Sequence, residues 1–113
     1  FMAIYANLTV DQGSDFTSTV SVVDALNAPL DLTGYTFRGQ VRKTYTSSTA
    51  VDFTLISNAP LTGDILLSLS SAQTAEMKAG RYHYDVEIVS AGNTVTRVLE
   101  GQLEVTPRAT RVV

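Results

Sequence analysis

The chain has no cysteine, no tryptophan, one histidine and three prolines in 113 residues. Without a thiol there is no disulfide framework, no thiolate metal site and no cysteine nucleophile. With His83 alone, any Ser-His or Thr-His catalytic pair would have to use that one residue. Eight basic against eleven acidic residues leave a formal charge of −3. A broad nucleic-acid footprint needs clustered Lys and Arg, so that class is disfavoured. No apolar run approaches the roughly 18 residues of a membrane helix. The first ten residues, "FMAIYANLTV", lack the basic start and long apolar segment of a secretion signal. Asn7-Leu8-Thr9 is therefore expected to be a glycosylation sequon in letters only. Met2 is expected to be the natural start, with Phe1 a remnant ahead of it.

What is present is strand pattern. "FTSTVSVV" puts Phe16, Ser18, Val20 and Val22 on one face. "YTFRGQVRK" does the same with Tyr35, Phe37, Gly39 and Val41, opposite Thr36, Arg38, Gln40 and Arg42. "VDFTLI" offers Val51, Phe53 and Leu55, and "DILLSLS" offers Ile65, Leu67 and Leu69. Period two with β-branched and aromatic residues marks half-buried antiparallel strands. A weaker first segment, about residues 3–10, is expected at an edge. "DQGSD", "NAPLDLTG", "TSST" and "NAPLTGD" supply turn residues between the runs. "LTG" occurs twice, at Leu32 and Leu61, and predicts the same turn chemistry before each following strand. "SSAQTAEMKAG" breaks the alternation: Ser70 and Gln73 have capping-box spacing, and Gly80 suits the end of a short helical turn.

The fold class that follows is all-β. An antiparallel, immunoglobulin-like sandwich of about seven strands is expected, with one helical turn before "GRYHYDV". Residues 1–113 are read as one such domain. In these sandwiches a tyrosine just after a tight connection bonds back to the connection's backbone. Tyr82, two residues after Gly80, has that place. Tyr84 stands where antibody domains put a cysteine and is expected to fill the core by bulk. "SAGN" predicts a two-residue hairpin turn, either Ala91-Gly92 or Gly92-Asn93. Either register sets Tyr82, Tyr84, Val86 and Ile88 on a face with Val95, Leu99, Gly101, Leu103 and Val105. Gly101 then lies under one of the two tyrosine rings. Arg97 falls on the same apolar face and is expected near the sandwich end, its charge reaching solvent.

His83, Asp85 and Glu87 alternate on one strand face, a spacing that metal ligands can use. A solvated face is the ordinary reading, since carboxylates and histidines are mostly exposed. Asp85, Glu87, Glu100 and Glu104 are candidates for paired-carboxylate glycoside chemistry. Alternation puts all four on the exposed side, without the apolar enclosure that raises a carboxyl pKa. No G-x-S-x-G elbow and no phosphate-cradling glycine loop occurs. Arg38, Arg42 and Lys43, with Arg81 near them, make a small basic cluster read as a solvated face. No catalytic, cofactor-binding or metal-binding residue is assigned, and no cofactor is expected.

Two stretches resemble a known group of proteins. "DLTGYTFRGQVRK", Asp31 to Lys43, and "AGRYHYDVEIVSAGNTVTRVLEGQLEVTPRATR", Ala79 to Arg111, are similar to immunoglobulin-like domains of tailed-bacteriophage virion proteins. Such domains occur in tail and baseplate components, including the N-terminal domain of baseplate upper proteins. The shared features are the "DLTG" turn, "G-x-Y-x-Y-D-V", and a last strand from "R-V-L-E-G" to "V-T-P-x-x-T-R". The resemblance implies a non-enzymatic structural component of the particle: a tail, baseplate or accessory decoration subunit. Its partners would be other virion proteins or further copies of itself, without nucleic acid or membrane. In longer relatives the domain continues into a fibre or another module. This sequence ends just after Arg111, which favours a free-standing subunit over an adaptor. The alternative is a carbohydrate- or cell-surface-binding sandwich, which needs exposed aromatics at loop tips, and Tyr45 is the clear candidate. Open edges at the first and last strands are expected to carry association.

Overall fold

The computed structural model describes residues 4–24 and 26–109. Its strands are β1 (Ile4–Tyr5), β2 (Leu8–Asp11), β3 (Phe16–Ser21), β4 (Thr36–Arg42), β5 (Val51–Asp52), β6 (Thr54–Ile56), β7 (Asp64–Leu69), β8 (Gly80–Val89) and β9 (Val95–Thr106). A 3-10 turn covers Pro60–Thr62, and helix α1 covers Ser71–Glu76. One sheet runs β1-β9-β8-β4-β5, with β2 also on β9; the other runs β3-β7-β6. The all-β sandwich is as the alternation indicates. β1 and β2 are one interrupted run, and β5 and β6 are one run that changes sheets at Phe53. Counted so, the described residues make seven strands.

Alternation also places the core. Val20, Ile65, Leu67 and Leu69 from the small sheet meet Val41, Tyr84, Val86, Ile88, Leu103 and Val105 from the large one, all buried. Phe53 sits at the sheet change, its ring edge-on to Tyr84 at 5.9 Å. Both "LTG" glycines are left-handed, Gly34 at φ 82° and Gly63 at φ 73°. The two loops interlock: Leu32 N–H donates to the Pro60 carbonyl and Val22 N–H to the Gly63 carbonyl, at 2.9 and 2.8 Å.

Helix α1 has the capping box that Ser70 and Gln73 encode, with both reciprocal bonds formed. It ends at Glu76, where Met77 turns extended and buries its side chain. Gly80, expected to end the helix, is instead the first residue of β8. Thr74 on this helix is fully buried. Its hydroxyl accepts from Gly13 N–H at 3.0 Å and donates to the Ser14 carbonyl at 2.8 Å. Asp15 accepts from Ser71 N–H at 2.7 Å. The helix is thereby tied to the "DQGSD" turn.

Three expectations are corrected. The N-terminal run pairs parallel with β9, Ile4 beside Leu99 and Leu8 beside Leu103. The last strand is therefore interior, not an edge. The β8–β9 loop has three residues, not two: Ser90 N–H bonds the Thr94 carbonyl at 3.0 Å, and Asn93 takes φ 67°. Near the turn Glu87 faces Arg97, while further down Val86 faces Leu99, so Val98 is an extra, bulged residue. The longer loop exchanges the faces up to the bulge. Val98 and Leu99 are both buried, Val95 is 46% exposed, and Arg97 is carried to the outer face. Beyond it the expected parity holds, and Gly101 faces Tyr84.

Tyr82 makes the expected corner, donating its hydroxyl to the Lys78 carbonyl at 2.8 Å. Its ring is half-buried under the Lys43 ammonium, 4.9 Å from the centroid. Tyr82→Phe removes the one hydrogen bond and keeps the ring. The expected cost is about 1 kcal/mol in urea unfolding. A variant as stable as the parent would show that the corner adds nothing here.

Candidate functional site

The outer face of the large sheet carries the polar residues singled out in the sequence. Register puts Arg38 beside Glu87, Gln40 beside Asp85 and Arg42 beside His83. On the other side of β8, Asp85 stands beside Glu100 and Arg81 beside Glu104. His83, Asp85 and Glu87 do share one face, but each is turned to a different neighbour. Glu87 accepts from Arg38 Nε at 2.7 Å. Asp85 lies 3.5 Å from Arg97 Nε, and Arg97 also approaches Glu100 at 3.7 Å. His83 stacks on Tyr45, ring centroids 4.5 Å apart. Among the described residues no group of three His, Asp or Glu side chains is placed to hold a metal ion.

The basic cluster is likewise dispersed. Arg38 is paired, Arg42 donates to Gln40 Oε1 and to the Ser47 carbonyl, and Lys43 covers Tyr82. Gln40 in turn donates to Asp52 at 2.7 Å. Arg38, Gln40, Asp52, Asp85 and Glu87 edge a hollow of about 450 Å³ floored by Gly39 and Phe53. A smaller hollow, about 260 Å³, lies between Tyr45, Arg42 and His83. What these groups can do chemically is hydrogen-bond a polar surface. Two of the acids are matched to arginines across the strands, Glu87 to Arg38 and Asp85 to Arg97, an arrangement that stabilises a sheet face.

Three of the four carboxyls depart from the expectation of full exposure, with side chains 27% (Glu87), 33% (Asp85) and 36% (Glu100) exposed. At Asp85 burial raises the pKa against the opposing pull of Arg97. Glu87 and Glu100 add to the rise. The longer β8–β9 loop causes this, because it puts Arg97 and its stem over Asp85. Folding stability bears the mark of it. Well below pH 3.8 the carboxyl is neutral folded and unfolded. As pH rises the unfolded chain ionises first, so the folded state loses stability until Asp85 ionises too. Asp85→Asn escapes that loss. Relative to the parent, the variant should be more favourable at pH 7 than at pH 3, by urea unfolding. The opposite trend would mean that the Arg97 pair outweighs burial.

The sequence reading missed the polar contact of Tyr84. The ring is buried as expected, and its hydroxyl also donates to the Ala6 carbonyl at 2.6 Å. Nothing local indicates a partner so far along the chain. Gly101 held part of the clue. A Cβ there would lie 1.9 Å from the Ala6 oxygen, so the glycine opposite Tyr84 also admits the Ala6 backbone. Asn7, the sequon residue, fills the same interruption, its Oδ1 accepting from Gln102 N–H at 3.3 Å. A second exposed aromatic, Tyr5, joins Tyr45 at the surface, 64% and 69% exposed.

No protein-family model matches the sequence, and no curated protein matches it significantly. Among solved structures it is similar to the filamin domain of Lin-41. The TM-score is 0.51 at 14% identity, over 87% of this chain and 82% of that one. An internalin-like protein of Listeria monocytogenes also matches, with TM-score 0.45 and 18% identity, over 94% of this chain and 28% of that one. The filamin likeness concerns the fold alone, an immunoglobulin-like β-sandwich.

Proposed function

We propose that the chain is a non-enzymatic structural component of a bacteriophage particle, located in the virion and acting through protein–protein contacts. The observation that carries this reading is where the resembling stretches lie. Asp31–Lys43 supplies β4, and Ala79–Arg111 supplies β8 and β9, three neighbouring strands of one sheet. The described residues of the two stretches thus lie side by side in one sheet, with the corner at Tyr82 near the start of β8. The polar face supports the same reading, since Arg38 with Glu87 and Arg97 with Asp85 pair with one another instead of converging on a reactive centre. Mass spectrometry of purified particles, made by induction of the replicon that carries the gene, tests it. The chain should co-purify with the particles in constant ratio to their major proteins. A chain abundant in the lysate and absent from the particles would overturn the proposal.

One observation favours the second reading, a carbohydrate-binding surface. Tyr45 is exposed at the rim of a polar hollow that includes Arg42, His83 and Asp85, and an aromatic ring beside planar polar groups suits a sugar. Glycan-array binding lost in Tyr45→Ala would move the assignment to that class.

A further inference from the structure

The sandwich has strand edges that differ in how they are guarded. β5 is two residues long and ends in Asp52, and its run turns at once into the three residues of β6. The edge formed by β1 and β2 is interrupted at Ala6 and Asn7 and closes on Asp11. β3 is different. It is six residues long, Phe-Thr-Ser-Thr-Val-Ser, with no charge, no proline and no glycine. Its register with β7 is unbroken from Phe16–Leu69 to Ser21–Asp64, so no bulge bends it. Natural edges are blunted by charge, proline, bulges or shortness, and β3 has none of these. Among the described residues its only strand partner is β7, and its outer side makes no backbone hydrogen bond.

The cause lies across the molecule. The first strand of the chain, which could cover β3 after the Gly13 turn, is held on the other sheet. Tyr84 grips its Ala6 carbonyl and Gly101 makes room for it. The same contacts that fix the N-terminus leave β3 open.

We propose that β3 is a dimer edge, pairing antiparallel with β3 of a second copy to join two three-stranded sheets into one of six. A strand that meets itself about a two-fold axis must be self-complementary. This one is. It brings no like charges together, and same-face pairing leaves two central registers. With Thr19 opposite Thr19, Thr17 meets Ser21. With Ser18 opposite Ser18, Thr17 meets Thr19. In both, hydroxyl residues oppose hydroxyl residues on the outer face, a favourable cross-strand pairing. The proposal rests on the structural-component reading for its biological use, and its test uses the isolated protein, so the two can fail separately.

The test is sedimentation velocity of the full chain over a wide concentration range. The parent should pass from monomer to dimer. Thr17→Lys/Thr19→Lys places introduced lysines opposite each other in either register, on side chains that are exposed in the monomer. It should keep its fold by circular dichroism and weaken dimerisation at least tenfold. Thr17→Glu/Thr19→Glu should behave alike, and an equimolar mixture of the two variants should restore a dimer. A parent that stays monomeric at all concentrations overturns the proposal, including the case in which the chain's own residues 110–113 protect the β3 amides from exchange. Dimers unchanged by either double substitution overturn it too, by assigning association to another surface.

Discussion

Tyr84→Ala is expected to lower folding stability by about 3–5 kcal/mol, measured as a large drop in the urea midpoint. The ring is 2% exposed at the centre of the large sheet, packed edge-on against Phe53. Truncation removes that aromatic pair and leaves a cavity that strands on both sides cannot close. It also frees the Ala6 carbonyl, the point where the N-terminal run is fastened. A small domain is typically stable by only 5–15 kcal/mol, so the variant should stand near the limit of folding. Tyr84→Phe separates the two roles and should cost about 1–2 kcal/mol from the lost hydrogen bond. Burial pushes the Tyr84 phenol up to about 12, with Tyr5 adding to the rise. Its folded form thus holds the proton that the unfolded chain releases near pH 10. The parent should lose stability from pH 10 towards 12, and Tyr84→Phe should lack that contribution.

Gly101→Ala is the second large effect. The new Cβ would meet the Ala6 oxygen at 1.9 Å and the Ala6 carbonyl carbon at 2.8 Å. Both are backbone atoms, so no rotamer change relieves the contact. The N-terminal run has to lift from β9, breaking the Tyr84 bond and the Ala6 N–H to Glu100 bond of 2.9 Å. A cost of about 3 kcal/mol follows from overpacking and two lost hydrogen bonds. Because Gly101→Ala and Tyr84→Phe break the same attachment, the double variant should cost clearly less than the two added together. Strict additivity would show that the two residues act on separate parts of the fold.

The sequence disclosed the elements better than their neighbours. Period-two alternation located the buried face of β3, β4, β7 and β8 residue by residue, because burial on one side writes itself into each strand. Ser70 and Gln73 disclosed the helix start, and Gly80 with Tyr82 disclosed the corner, since these bonds close within a few residues. The parallel N-terminal run was hidden, because strand direction depends on a partner at the far end of the chain. The bulge left a mark that could have been read. Val98 and Leu99 are adjacent apolar residues in a strand that otherwise alternates, which is how an extra residue looks in a sequence. Taking the loop one residue short put Arg97 on the wrong face and hid the burial of Asp85, and the missed bulge restored the parity beyond it. Thr74 carries no local sign of its role, since only the folded chain brings Gly13 and Ser14 to it.

In the proposed reading "AGRYHYDVEI" is scaffold, with its tyrosines holding the fold and its histidine on the polar outer face. The most direct measurement is urea unfolding of Tyr84→Ala, Tyr82→Phe and His83→Ala side by side. The predicted order of cost is Tyr84→Ala largest, Tyr82→Phe near 1 kcal/mol, and His83→Ala smallest, at about 0.5 kcal/mol for the lost stack on Tyr45. A His83→Ala variant as damaging as Tyr84→Ala, or one that keeps the fold and loses a binding or catalytic activity, would contradict it.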